Sequence, residues 1–359
     1  MVNRDRLAGR FLDMVRVPTP GGSESSLYPL LDAWFSPLGI DPTRDAAGNL
    51  LYKVDGEGEA LLLTAHMDTV VPCEGIEPVI DGAGVISCAS DTILGSDDKA
   101  GIAIILELLE LLRATGSTHR PLDILLTVRE ETGLLGAKAF DASALRARMG
   151  IGLDSTGEPG TIIVSAPSQN SFAVTVKGRA AHAGGRPEDG INAIQAAAKG
   201  VANMPLGRID SETTANIGII SGGSATNIVP ALVTMRGEAR SRDAAKLQAQ
   251  TDAMVAALRQ GAEELGAEID IDVRHTYDNY AFAPTHPVVA LVAEAMERAG
   301  ITPVFLPSGG GSDANVFNAR GVSTVQLGIG MTDVHTTSEH IALDDMEAIV
   351  RVLLEAVSA

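Results

Sequence analysis

Cysteine is nearly absent from this sequence: Cys73 and Cys88 are the only two in 359 residues. Two thiols cannot staple a chain of that length and are too few for a cysteine metal cluster, so a reducing, cytoplasmic setting is expected. Basic residues are also scarce. Lys and Arg number 27 against 46 Asp and Glu, a formal charge of −19. Phosphate binding needs clustered Lys and Arg, so a nucleic-acid or anionic-membrane partner is excluded. No apolar run reaches membrane-spanning length, and the first segment, MVNRDRLAGRFLDMVRV, carries charges throughout. No signal peptide and no transmembrane helix are expected.

The apolar runs that are present end in an unusual way. In LLLTAHMDTV, Leu61–Leu63 look like the inside of a sheet, yet His66 and Asp68 follow two residues apart. A buried ionised carboxylate is expensive unless it is paired or near a metal. The same texture recurs between Gly58 and Asp154 in ALLLTAHMD, LDILLTV and GIGLD. Between them lies a helical pattern, DKAGIAIILELLELLRATG, with Ile102, Ile105, Leu106, Leu109 and Leu112 on one face and Gly116 at its end. Strands apolar on both faces, alternating with helices, predict an α/β domain with a mixed, largely parallel sheet covered on both sides.

From Ser171 the pattern changes. Phe172, Val174 and Val176 alternate with polar or small residues, as do Val233, Met235 and Ala239. That is the signature of antiparallel strands with one wet face. Two helical segments, GINAIQAAAKGVANM and SRDAAKLQAQTDAMVAALRQGAEELG, accompany them. The first texture returns after Pro284. The expected organisation is a discontinuous catalytic domain, residues 1–170 and 281–359, interrupted by a smaller α/β lid and dimerisation domain, 171–280, with an antiparallel sheet and two helices.

Chemistry-bearing residues collect where apolar runs end: His66 and Asp68, Asp97 and Asp98 in GSDDKAG, Glu130 and Glu131 in VREETG, Asp154 after GIGL, and His335 in DVHTTSEH. In an open α/β sheet the carboxyl ends of the strands converge on one crevice. Each motif has an ordinary structural explanation: SDDKAG as a capped helix start, EETG as a solvated strand end, His335 as a surface histidine. Their joint order decides against those. Carboxylates do not gather without a cation. Imidazole with carboxylate suits zinc, and also cobalt or manganese. The number of candidates fits two ions about 3.5–4 Å apart sharing one carboxylate. His66 is then a ligand, and Asp68 supports it by accepting its other ring N–H.

On the blocks TAHMDTV, LGSDDKAG, TVREETGLLGAKAF, GLDSTG, GRAAHAGGRPEDGINAI, SATNIVPA, SGGGSDANVF and HTTSEHI, the sequence resembles the dinuclear-zinc metallopeptidase superfamily of peptidase T, glutamate carboxypeptidase, aminoacylase and succinyl-diaminopimelate desuccinylase. The peptidase T-like branch is the nearest in motif. The resemblance implies that His66 and Asp154 hold one zinc, Glu131 and His335 the other, and that Asp97 bridges them, often with a cis peptide to Asp98 in this family. It implies Glu130 as general base toward a metal-bridging water, with Asp68 in support. From the inserted domain it implies His182, Asn227 and Arg240 as substrate contacts, the histidine coming in some relatives from a neighbouring subunit. Arg240 lies on the polar parity of its strand, where a salt bridge explains it nearly as well. PSGGGSDANVF lacks the GK[ST] ending of a phosphate loop and reads as flexible backbone lining the cleft.

The function expected is cleavage of amide bonds in short peptides by a peptidase T-like aminopeptidase or tripeptidase. The alternatives are deacylation of N-acyl amino acids by the same machinery and, in another class, a metal-binding regulatory protein without turnover. A homodimer through the exposed sheet edge of the insert is in keeping with the resemblance.

Overall fold

The computed structural model describes residues 1–358. In chain order its principal strands are β1 (Leu50–Val54), β2 (Leu61–His66), β3 (Leu122–Thr127), β4 (Met149–Gly152), β5 (Thr161–Ala166), β6 (Ser168–Lys177), β7 (Thr213–Gly222), β8 (Leu232–Ser241), β9 (Glu268–Tyr277) and β10 (Ser323–Leu327). Its principal helices are α1 (Arg4–Val15), α2 (Ser96–Thr115), α3 (Ala193–Ala202), α4 (Ala244–Glu263), α5 (Pro287–Arg298), α6 (Asp313–Ala319) and α7 (Leu343–Val357). The chain forms two compact units. One comprises Met1–Val164, Phe282–Ser308 and Ser312–Ala359, the other Ser165–Ala281 and Gly309–Gly311. No described helix is long and apolar enough to cross a membrane.

In the first unit β3, β2, β4 and β10 lie side by side and parallel, while β1 and β5 join antiparallel outside them. Every position of β2 and β3 is buried. An alternating strand would leave one face wet, so uninterrupted burial means that both faces are covered. Helix α2 is buried nearly all round rather than on a single stripe: Ile104, Leu108 and Leu111 are as enclosed as Ile102 and Leu106. Glu107, a wholly buried acid in its middle, is clamped by the Arg6 guanidinium at 2.7 and 2.9 Å and by the Asn3 amide at 2.8 Å. Gly116 ends the helix in the left-handed region, as its position in the sequence suggests.

A small antiparallel sheet of Pro78–Ile80, Val85–Cys88 and His340–Ala342 was not foreseen, because each strand is too short to show a period. It pins the segment that carries Glu339.

The second unit is a five-stranded antiparallel sheet. Its members include β7, β8, β6 and β9 in that order, with the short Gly207–Arg208 strand beyond β7. Phe172, Val174, Val176, Val233, Met235 and Ala239 point inward to its own core with Ala196, Ala197, Met254 and Leu258 from α3 and α4. Those helices are capped by Asn192 and Asp243, whose side chains accept amides at Gln195 and Lys246. They approach closely at Gly200 and Gly261. A Cβ at position 261 would lie 2.4 Å from the Gly200 nitrogen and 2.7 Å from the Ala196 carbonyl oxygen.

Gly261→Ala is therefore expected to cost about 1–3 kcal/mol by overpacking backbone against backbone. Urea denaturation reads this as a lower midpoint at unchanged slope. A wild-type midpoint would mean that the two helices are not in contact there.

Candidate metal centre

His66 is the last residue of β2 and is 2% exposed. Its Nδ1 faces the backbone carbonyl of Asp68 at 2.9 Å, whereas the nearer carboxylate oxygen of Asp68 is 3.5 Å away. The Asp68 backbone carbonyl is thus the nearer group to the ring nitrogen, with the carboxylate just behind it. That carboxylate is taken up by two backbone amides, the buried Glu130 N at 2.9 Å and the half-buried Glu131 N at 3.1 Å. Left unpaired, those N–H groups would be costly, and an acid just beyond one strand is well placed to receive a turn just beyond the next. Glu24 holds the same turn from its other side. Its carboxylate accepts Arg129 N at 3.0 Å, where Arg129 has φ 54°, and Gly22 N at 2.9 Å.

Asp97 and Asp98 stand at the start of α2 but are not ordinary first-turn acids. Their backbone is non-helical and the peptide between them is cis. The loop is held by Glu339, itself 1% exposed. One of its oxygens accepts Leu94 N at 2.9 Å and Gly95 N at 2.8 Å. The other accepts Ser96 Oγ at 2.5 Å and Asp97 N at 3.1 Å. Asp98 turns inward, and its Oδ2 accepts His66 N at 3.1 Å.

Asp154 follows β4, with its amide donating to Gln326 Oε1 at 3.2 Å, while Gln326 Nε2 donates to Ser312 Oγ at 3.0 Å. Gln326 fits there because Gly152 has no side chain; a Cβ at that position would fall 2.0 Å from Gln326 Oε1. His335 lies at the tip of a loop closed by reciprocal backbone hydrogen bonds between Thr332 and His340, with φ 64°.

These elements bring five sequence-predicted residues together. His66 Nε2 is 3.0 Å from Asp97 Oδ1 and 4.0 Å from Asp154 Oδ1. His335 Nε2 is 3.3 Å from Asp97 Oδ2 and 2.8 Å from Glu131 Oε1. Asp97 therefore presents one oxygen to each histidine. Donor atoms of His66, Asp97 and Glu131 also fall within 4.8 Å of one another, so the two groups are contiguous.

The electrostatics are those of crowded acids. Burial pushes the Asp154 carboxyl well up, with Glu130 and Asp97 adding to it. Burial does the same to Glu130, helped by Asp313, Glu131 and Asp97 and opposed by His66. Burial alone would depress His66, but Asp68, Asp97 and Asp154 outweigh it and raise it well above its ordinary value. Hydrogen bonds to Asp97 and Glu131 lift His335 to about 10. Each carboxylate here demands a positive charge, and the histidines answer only by holding protons. Imidazole nitrogens and carboxylate oxygens converging at these distances suit divalent cations.

Asp313 belongs to this neighbourhood, whereas the sequence SGGGSDANVF by itself reads as flexible backbone. It is buried, accepts Thr127 Oγ1 at 2.5 Å through Oδ2, and leaves Oδ1 without a partner among the described residues. Burial pushes its carboxyl up to about 6. Ser312 just before it closes a capping box with Asn315, so this end of the glycine run is ordered helix start. Only the S-x-x-N spacing carried a signal for that. Glu24, Glu339 and Gln326 had none, because an acid or amide that ties down a distant loop looks like any other.

The other expected substrate contacts lie in the second unit. His182 is exposed, and its Nδ1 accepts Gly184 N at 3.1 Å and Gly185 N at 3.0 Å. That leaves Nε2 as the ring's N–H donor. The Asn227 segment pairs with the His182 segment through Ala183 N to Asn227 O at 2.9 Å. Arg240 is not presented as a free cation. Glu238 on the same strand takes its Nε and Nη2, each at 2.9 Å, the ion-pair role that its strand parity allowed.

Residues 62–359 match the model of Peptidase family M20/M25/M40. The chain is 39% identical to the uncharacterized protein YqjE of Bacillus subtilis, over 99% of this chain and 100% of that one. Among solved structures it is similar to aminopeptidase PepT of Bacillus cereus, with TM-score 0.89 and 39% identity over 99% of this chain and 98% of that one. It is also similar to a tripeptidase of Staphylococcus aureus, with TM-score 0.94 and 36% identity over 100% and 98% of the two chains.

Glu339→Gln would turn an amide NH₂ toward N–H donors in the Asp97 loop. A fall of about 10–100-fold in divalent-metal affinity is expected, read by competition against a chromophoric chelator. Unchanged affinity in a folded variant would show that Glu339 does not position Asp97.

Proposed function

Since the chain belongs to peptidase family M20/M25/M40 and is a metal-dependent peptide hydrolase, we propose that it cleaves amide bonds of short peptides as an aminopeptidase of the tripeptidase kind. The observation that carries the mechanism is Asp97, whose two carboxylate oxygens face different histidines, at 3.0 and 3.3 Å. In this reading His66 and Asp154 would hold one divalent ion and Glu131 and His335 a second, with Asp97 available to both. Zinc suits this donor set best, with cobalt or manganese as substitutes. When bound, the ions supply Lewis acidity toward the attacking water and the scissile carbonyl.

Glu130 is the general base. It is buried, its proton affinity is raised chiefly by that burial, and its backbone is fixed by Asp68. It takes a proton from the attacking water as the new C–O bond forms. It then returns a proton to the amine nitrogen as the C–N bond breaks. Glu131, one residue on, has its carboxylate turned to His335, so the adjacent acids divide the labour. His182, with Nε2 as its donor, and Asn227 are assigned to the substrate's carbonyl and terminal groups. Arg240 would have to leave Glu238 to join them. Two free cysteines support a reducing, cytoplasmic setting.

A homodimer is proposed through β7. The short Gly207–Arg208 strand covers only Thr214 and Ala215 of that edge, and beyond it Ile219 and Ile220 are 61% and 55% exposed. The opposite edge strand, β9, is guarded by Glu268, Asp270, Asp272 and Arg274.

Glu130→Ala is expected to keep its metal content by elemental analysis yet lose about 10²–10⁴-fold in turnover. The assay is a panel of tripeptides, dipeptides and N-acetyl amino acids, read by mass spectrometry for the bond cut. Normal turnover by the variant would remove Glu130 from the mechanism, and cleavage confined to N-acetyl amino acids would remove the peptidase reading. For the dimer, light scattering should give twice the chain mass for the wild type and the single mass for Ile220→Lys. A monomeric wild type refutes the interface.

A further inference from the structure

At the amino-terminal ends of the parallel strands, the first unit holds a cavity of about 710 Å³. Glu59 lines it before β2, Arg146 and Arg148 before β4, Ser323 at the start of β10 and His286 at the start of α5. The six residues of β2 run from this end to His66, roughly 17 Å at about 3.3 Å per residue. The cavity is therefore distinct from the proposed metal centre.

Its charged groups are not equivalent. Arg146 is committed to Asp123 at 2.8 Å, to Asp55 at 3.2 Å and to the carbonyls of Val54 and Leu122. Arg148 lends only Nη1, to the carbonyls of Leu145 and Ala147, and has no carboxylate partner among the described residues. Glu59 is exposed and likewise has no cationic partner among them. His286 Nδ1 is buried with no hydrogen-bond partner among the described residues, while its ring packs 4.3 Å from that of Phe282.

One guanidinium without a carboxylate partner and one carboxylate without a cationic partner among the described residues, both on the wall of a small-molecule-sized cavity, form the complement of a zwitterion. An inorganic anion would meet Glu59 and Asp55, and a simple cation would meet both arginines. We propose that this cavity binds a free α-amino acid, its carboxylate on Arg148 and its ammonium on Glu59. Free amino acids are what the proposed reaction releases, so the site is a product site remote from the chemistry. That biological identification rests on the peptide-hydrolase reading; the charge pattern does not. The strands that begin at its wall are those that end at His66, Glu130, Glu131 and Asp154.

The test is calorimetric titration of the metal-loaded protein with a panel of free amino acids. L-Leucinamide and N-acetyl-L-leucine serve as controls that each lack one charge. Binding should require both charges, and Arg148→Ala should weaken it by about tenfold or more. Glu59→Gln should weaken it too, with peptide turnover near wild type in both variants. Affinity unchanged in both variants, or no binding at millimolar amino acid, overturns the proposal. Equal binding of N-acetyl-L-leucine reduces the cavity to an anion site and overturns it as well. Binding that depends on Arg148 in a protein that hydrolyses no peptide would sustain this site while sinking the peptidase reading.

Discussion

Carboxylates taken out of water at the end of a covered sheet repel one another and lose solvation at once, and nearly everything near Asp97 answers that constraint. Asp97 divides its two oxygens between His66 and His335. Asp154 and Glu130 are driven toward their protonated forms by burial and by neighbouring acids, Glu130 and Asp97 for the first, Asp313, Glu131 and Asp97 for the second. Protons on the histidines relieve the crowding in part. Divalent cations relieve it fully, because they neutralise several acids together without needing any of them to be protonated.

The acids around the site separate into two kinds by what lies within hydrogen-bond reach. Asp68, Glu24 and Glu339 face backbone amides and act as clamps on the Glu130 turn and the Asp97 loop. Asp97, Glu131 and Asp154 face imidazoles and one another. The first kind keeps the second in register. A carboxylate accepting several N–H bonds is held far more tightly than a solvated one, so the geometry is set before any ligand arrives.

The sheet also has a second end. Its parallel strands lead at their carboxyl ends into the acid cluster and at their amino ends into a cavity with opposite charges on its lining. The second unit contributes a different surface. It has one charged sheet edge and one apolar edge, and a histidine whose tautomer is set by two glycine amides.

Much of this was legible in the residues themselves. Unbroken apolar runs such as Leu61–Leu63 determined buried parallel strands, alternation at Phe172, Val174 and Val176 determined a one-sided sheet, and His66, Asp97, Glu131, Asp154 and His335 stood out because polar groups at the ends of buried strands need a partner. These are local signals, carried by neighbours along the chain. The tertiary structure alone decided which of several chemically identical acids became clamps. It engaged Arg240 with a carboxylate, gave Asp313 a buried place beside Thr127 and opened a cavity at the far end of the sheet. Glu339 reaches the Asp97 amide across 242 positions of sequence. An acid's role follows from the donors within about 3 Å of it, and over such separations only the folded chain determines which donors those are.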